Sequence, residues 1–125
     1  MKLLLDTNAL LWWAEDPDRL SEPARLAIGN GRNRVYVSPI SFLEITIKEA
    51  IGKLRVPPAI QACVEANRFT ELPLTITHTV AIRDLPPIHK DPFDRTLIAQ
   101  ARVEGLTLVS RDAALARYEV PLLAA

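Results

Sequence analysis

Cysteine, histidine, net charge and long apolar runs are all scarce here, and each scarcity removes a class of protein. The single cysteine, Cys63, in 125 residues cannot close an intramolecular disulfide, which fits a reducing cytoplasm and not a disulfide-stapled secreted scaffold. It lies among Ala62, Val64 and Ala66 and is expected to be a small core residue. Lys+Arg 15 against Asp+Glu 15 leaves no bulk positive field to attract nucleic acid, although a local basic patch stays open. The two histidines, His78 and His89, lack the spacing of a metal-binding pair. No stretch approaches the ~20 apolar residues that cross a membrane, and Asp6 breaks the first leucines too early for a signal peptide. Repeats, linkers and low-complexity segments are missing too. What remains, at 49% hydrophobic and 24% charged, is one soluble domain over residues 1–125, expected in the cytoplasm.

The present residues alternate between strand and helix signals. Leu3-Leu4-Leu5 reads as a strand buried on both faces, and Asp6 opens a helix over 7–14. That helix carries Trp12 and Trp13 about 100° apart, so one is expected in the core and the other under a loop or interface. Ser21 caps a second helix with Pro23 in its first turn, stopped by Gly29-Asn30-Gly31. Val35-Tyr36-Val37 is the next strand, and Ser38-Pro39 starts a helix to about Ile51. Pro57-Pro58 opens another helix to about Arg68. Glu71 to Ile76 reads as a strand that Pro73 confines to an edge. Thr77 caps a short helix, and Asp91-Pro92 begins a longer one closed by Gly105. Leu106 to Ser110 is a strand, Asp112 caps a short helix, and Val120 to Leu123 is a last strand. This alternation predicts an α/β fold with a mainly parallel sheet.

In such a sheet ligands bind beyond the carboxyl ends of the strands, where the following helices begin. Asp6 and Asp112 fall just past strand ends. Glu44 and Asp94 fall in the early turns of helices at that same edge. Glu44 sits about 40° from Ile40, on the flank of a stripe of Ile40, Leu43, Ile47, Ile51 and Leu54 expected to be buried. A carboxylate there needs a partner, and Lys48 one turn on offers a bland one, worth about 0.3–0.5 kcal/mol. Asp94 lies on the axis of the stripe made by Leu97, Ile98 and Ala101, although a place near a helix start also suits an acid. Asp112 alone reads as an N-cap. Four carboxylates converging on one pocket would repel unless a cation neutralised them, and oxygen donors suit Mg²⁺ or Mn²⁺. Asn8 and Ser110, each two residues from an acid, can orient a carboxylate or a water.

The order Asp6-Thr7-Asn8, Glu44, Asp94 and Ser110-x-Asp112 resembles the PIN domain, and more narrowly the VapC-type toxins of bacterial toxin–antitoxin pairs. The phrases Leu11-Trp12-Trp13, Glu44-Ile45-x-Ile47-Lys48, Gly52-Lys53-Leu54 and Asp91-Pro92-Phe93-Asp94-Arg95 resemble one branch of that family, and the match spans the chain. Asn8 departs from the branch, where histidine is commoner. The resemblance implies a three-layer α/β/α sandwich and a Mg²⁺- or Mn²⁺-dependent endoribonuclease. Its acidic quartet maps onto Asp6, Glu44, Asp94 and Asp112, with Asp91 as an extra acid capping the helix. It also implies a homodimer and a small VapB-like antitoxin in the active-site groove, with RNA as substrate. Arg95 and Arg111 beside the acids are candidates to hold neighbouring phosphates, with solvated surface positions as the alternative. Trp12, Trp13 and Phe42 suit core or partner packing better than base stacking.

Four rival readings make different demands. A haloacid-dehalogenase-like phosphatase needs a second aspartate where Asn8 stands. A histidine ribonuclease needs two imidazoles at one phosphate, which nothing in the spacing of His78 and His89 provides; surface or capping positions are expected for both. A non-catalytic binding module with structural acids requires Glu44 and Asp94 to be paired with basic side chains. A housekeeping PIN-like nuclease would share the chemistry but not the antitoxin.

Overall fold

The computed structural model describes residues 1–56 and 59–125. Five strands form one fully parallel sheet in the order β3-β2-β1-β4-β5, with β1 Lys2–Leu5, β2 Arg34–Val37, β3 Thr70–Glu71, β4 Thr107–Ser110 and β5 Leu122–Ala124. The apolar run of β1 is continuous because both faces of this central strand are covered. Leu3 and Leu5 point into one core with Leu10, Ala24, Ile28 and Ile45. Leu4 points into the other with Leu97, Ile98, Leu115 and Tyr118. Two cores on opposite faces of one sheet make the α/β/α sandwich.

The first core lies under α1 Thr7–Glu15, α2 Glu22–Gly29, α3 Pro39–Ala50 and α4 Ile60–Ala66, the second chiefly under α5 Ile76–Ala81 and α6 Pro92–Glu104. Short 3-10 turns follow α1 and α5, and a longer one covers Ala113–Tyr118. The connection from β1 leads to β2 on one side, whereas β4 pairs with β1 on the other. The crevice beyond β1 and β4 is therefore the point where strand order reverses, the usual ligand position of such sheets.

Most boundaries follow the turn chemistry. Ser21 caps α2 through the Ala24 N–H, Asp91 caps α6 through the N–H groups of Phe93 and Asp94, and Gly105 ends α6 at φ 68°. Four expectations need correction. The third strand is only Thr70–Glu71: one more bond, from the Leu72 N–H to the Val37 carbonyl, extends it before Pro73, which has no N–H to give. It is, as expected, at a sheet edge. The cap of α5 is Thr75, not Thr77, in a reciprocal box with His78. His78 caps as expected but is buried and not at the surface, with Nε2 2.8 Å from Glu104 Oε1. The stripe on α3 points outward: Leu43, Ile47 and Ile51 are exposed, whereas Ile40, Ser41, Glu44 and Ile45 are buried. Periodicity marks an apolar face without saying what covers it, and here the inward face mixes Ile40 and Ile45 with the polar Ser41 and Glu44. The expected opening of a helix at Pro57-Pro58 lies outside the described residues.

Both tryptophans are half-buried, so neither is the fully enclosed core residue expected of one of them. The guanidinium groups of Arg19 and Arg111 lie 5.1 and 4.0 Å from the Trp12 ring centroid, and Trp13 packs beside Phe69.

Candidate active site

The four acids reach the crevice by different routes. Asp6 leaves β1 and caps α1: its backbone N–H donates to the Val109 carbonyl of β4, and its Oδ1 accepts the Ala9 N–H at 2.8 Å. The residue is 7% exposed. Glu44 enters from the second turn of α3, equally buried, and its Oε1 accepts the Thr7 hydroxyl at 2.6 Å while Oε2 takes the Lys48 ammonium. Asp94 enters from the first turn of α6, and Asp112 from the exit of β4, where Oδ1 caps the 3-10 turn through the Ala114 N–H. Ser110 is buried beside them and its hydroxyl accepts the Asp112 N–H at 3.2 Å. Asn8 sits exposed on the first turn of α1.

Burial first, and neighbouring charge second, raises two of these acids, Asp6 and Asp94. Burial is the main cause that pushes Asp6 from 3.8 up to about 6, with the charges of Glu44 and Asp112 adding to it against hydrogen bonds from the Ala9 N–H and Ser110. Asp94 is likewise raised to about 6, by burial first and then by Asp91, with Asp6 and Glu44 contributing and His89 opposing. The Lys48 ammonium is held above its usual range, chiefly by its hydrogen bond to Glu44, with smaller contributions from Asp91 and Asp94. Glu44 thus has the basic partner that a structural acid requires. Asp6 joins no ion pair among the described residues, and the nearest cationic candidate to Asp94 is His89 at 3.5 Å. A buried carboxyl with no ion-pair partner among the described residues, Asp6, is what the non-catalytic reading does not account for.

The donor set fits a hard divalent cation. Carboxylate oxygens of Asp94 and Asp112 lie within 4.8 Å of one another beside His89, a group that Asp6 and Glu44 do not join.

The PIN domain family model matches residues 3–121. The chain belongs to the PIN domain family. It is 30% identical over 124 residues to Ribonuclease VapC22 of Mycobacterium tuberculosis, covering 95% of this chain and 93% of that protein. The PIN fold is also that of the toxin–antitoxin complex VapBC2 from Rickettsia felis bound to a promoter DNA fragment, with a TM-score of 0.73 and 19% identity over 99% of this chain and 98% of that one. VapBC from Salmonella typhimurium, also bound to DNA, gives 0.69 and 19% over the same shares.

Several side chains stand differently from their sequence reading. Arg95 turns away from solvent phosphate: its guanidinium donates to the carbonyls of Pro86, His89, Ile82 and Leu85 at 2.9 to 3.4 Å. It therefore pins the loop before α6. Arg95→Ala is expected to lower stability by about 2–3 kcal/mol, with Arg95→Lys recovering little because one ammonium cannot span four carbonyls; urea unfolding reads both. Arg111 is similarly used on the carbonyls of Ala125 and Arg19 and on the Trp12 face. Asp91 acts as the cap, as expected. Thr7, which orients Glu44, carried no expected role, and His89, expected at the surface or at a cap, has its Nε2 3.1 Å from Asp112 Oδ2. Its position two residues before Asp91, in the loop feeding a helix that starts at the site edge, was the available signal.

Proposed function

We propose that this PIN protein is an endoribonuclease that hydrolyses RNA phosphodiester bonds with Mg²⁺ or Mn²⁺, held by Asp6, Glu44, Asp94 and Asp112, and that it is the toxin of a toxin–antitoxin pair. The observation that carries the reading is Asp6, buried at the strand-order reversal with no ion-pair partner among the described residues, with Glu44 and the half-buried Asp94 close enough to act on its neighbourhood. When bound, the cation supplies positive charge against the phosphate and makes a water a stronger nucleophile. The Ala9 N–H fixes the rotamer of Asp6, and Thr7 turns Glu44 inward with Lys48 balancing part of its charge. The starts of α1 and α6 face the same edge and favour phosphate oxygens. Water adds to phosphorus and the 3′ oxygen leaves, giving 5′-phosphate and 3′-hydroxyl ends. A histidine mechanism through the 2′-hydroxyl is disfavoured because His78 is 1% exposed and enclosed by Thr75, Gln100 and Glu104.

The partner assignment is supported by the relatives, which include toxin–antitoxin complexes, and by the outward apolar stripe Leu43, Ile47 and Ile51 on α3, which suits a protein contact. We assign a VapB-like antitoxin and a homodimer on that basis, in the cytoplasm. Analysis of cleavage ends tests the chemistry: 5′-phosphate ends are expected, and cyclic or 3′-phosphate ends would overturn it. Expression without a co-expressed small partner tests the biology. Growth arrest relieved by Asp94→Asn is expected, whereas unimpaired growth with an active enzyme would indicate a housekeeping nuclease.

A further inference from the structure

His89 stands at the acidic cluster with no role in the quartet, yet its loop is held at three points. Its backbone N–H donates to the buried Tyr118 hydroxyl, its carbonyl accepts from Arg95, and its Nδ1 accepts the backbone N–H of Asp91 at 3.1 Å. The third contact decides the chemistry. A backbone N–H can only donate, so Nδ1 must present its lone pair, and the proton of the neutral ring then sits on Nε2. That Nε2 lies 3.1 Å from Asp112 Oδ2 and 3.5 Å from Asp94 Oδ2. An imidazole with Nδ1 committed to the backbone and a proton on Nε2 has no lone pair left for a cation. Proximity alone would make His89 a ligand; its hydrogen bonds make it a donor to Asp112.

We propose that His89 is a positioning residue whose Nε2–H, set by the Asp91 amide, holds the carboxylate of Asp112 beside that of Asp94 in the orientation that takes a divalent cation. Asp112 needs such a hold. Its side chain is 43% exposed and, among the described residues, is otherwise fixed through Oδ1, which caps the Ala113–Tyr118 turn. Without the donor, mutual repulsion turns the two acids apart, and the cation must reassemble them at the expense of affinity. The anchors Tyr118 and Arg95 then act on the site at one remove, by fixing the loop that aims the ring.

This inference rests on the metal-holding role of the acids given above, and the test separates the two. Mn²⁺ binding to RNA-free protein is followed by loss of the free-ion EPR signal in wild type and three variants. His89→Ala is expected to bind about 10–100-fold more weakly. His89→Gln, whose amide nitrogen reaches the place of Nε2, restores affinity to within a few-fold. His89→Asn, whose oxygen can accept the Asp91 N–H but whose side chain stops short of the carboxylates, stays as weak as alanine. The reverse order, Asn restoring and Gln not, would mean that the ring only braces its loop and would overturn the proposal, as would unchanged affinity in His89→Ala. Nitrogen-15 spectra of wild type supply a reading free of folding effects: the Nε2–H form is expected both metal-free and with Mg²⁺, and loss of that proton on Mg²⁺ binding would make His89 a ligand and sink the positioning role. Wild type that binds no Mn²⁺ at all would fail differently, removing the metal site and this role together.

Discussion

Replacing Asp6 by asparagine is expected to have two opposite effects on one protein: RNA cleavage falls by roughly three orders of magnitude or more, and the metal-free fold becomes more stable. The loss follows from removing a charge at the centre of the cluster. The gain follows from linkage. Asp6 is displaced upward from 3.8 to about 6, mainly by burial, so the native state binds its proton more tightly than the unfolded chain does. Its favourable contribution is fully present below pH 3.8 and is lost as pH rises through about 6. At pH 7.5 the metal-free native state therefore retains a buried charge that the unfolded chain would keep in water, a difference on the order of 3 kcal/mol. Asparagine removes the charge and keeps an oxygen for the Ala9 N–H, so a gain of about 1–3 kcal/mol is expected at pH 7.5 in EDTA, shrinking towards zero near pH 4. Urea unfolding at the two pH values measures it. A variant less stable than wild type at pH 7.5 would mean that Asp6 is a structural cap and not a strained ligand.

The second large effect is the response of stability to divalent ions. A cation that binds only the folded chain stabilises it by about 2.7 kcal/mol at a hundredfold excess over Kd. Here it also relieves the repulsion among Asp6, Glu44 and Asp94. Mg²⁺ and Mn²⁺ are therefore expected to raise the melting temperature by several degrees, and EDTA to return it to the metal-free value. The shift should weaken as pH falls below about 6, because protons then compete for Asp6 and Asp94. In Asp94→Asn most of it should vanish. Calorimetry with and without the ion reads the difference; equal shifts in wild type and Asp94→Asn would place the binding elsewhere.

The two effects depend on features that differ in how far the chain itself announces them. The sheet is plain, because three leucines in a row are sensible only for a strand covered on both faces, and Leu3, Leu4 and Leu5 divide between the two cores. Ser38, Asp91 and Asp112 announce helix and turn starts by local chemistry that tertiary packing did not override. Parallel topology then brings Asp6, Glu44, Asp94 and Asp112 to one edge. What local pattern cannot supply is the choice of partner. Periodicity on α3 groups Leu43, Ile47 and Ile51, but packing buries the neighbouring face with Ser41 and Glu44. An arginine beside an acid reads as a phosphate contact, yet four carbonyls of its own loop claim Arg95. The reach of His89 to Asp112, across 23 positions, depends on a loop whose path only the folded chain defines.

Acids gathered at the end of the parallel sheet are expected to hold the cation with which the protein cuts RNA. Purified protein incubated with RNA tests it most directly, with Mg²⁺ or Mn²⁺, with EDTA, and with Asp94→Asn in parallel. Cleavage that requires the ion and disappears in the variant is the predicted result. Cleavage that persists through both chelation and substitution would contradict it.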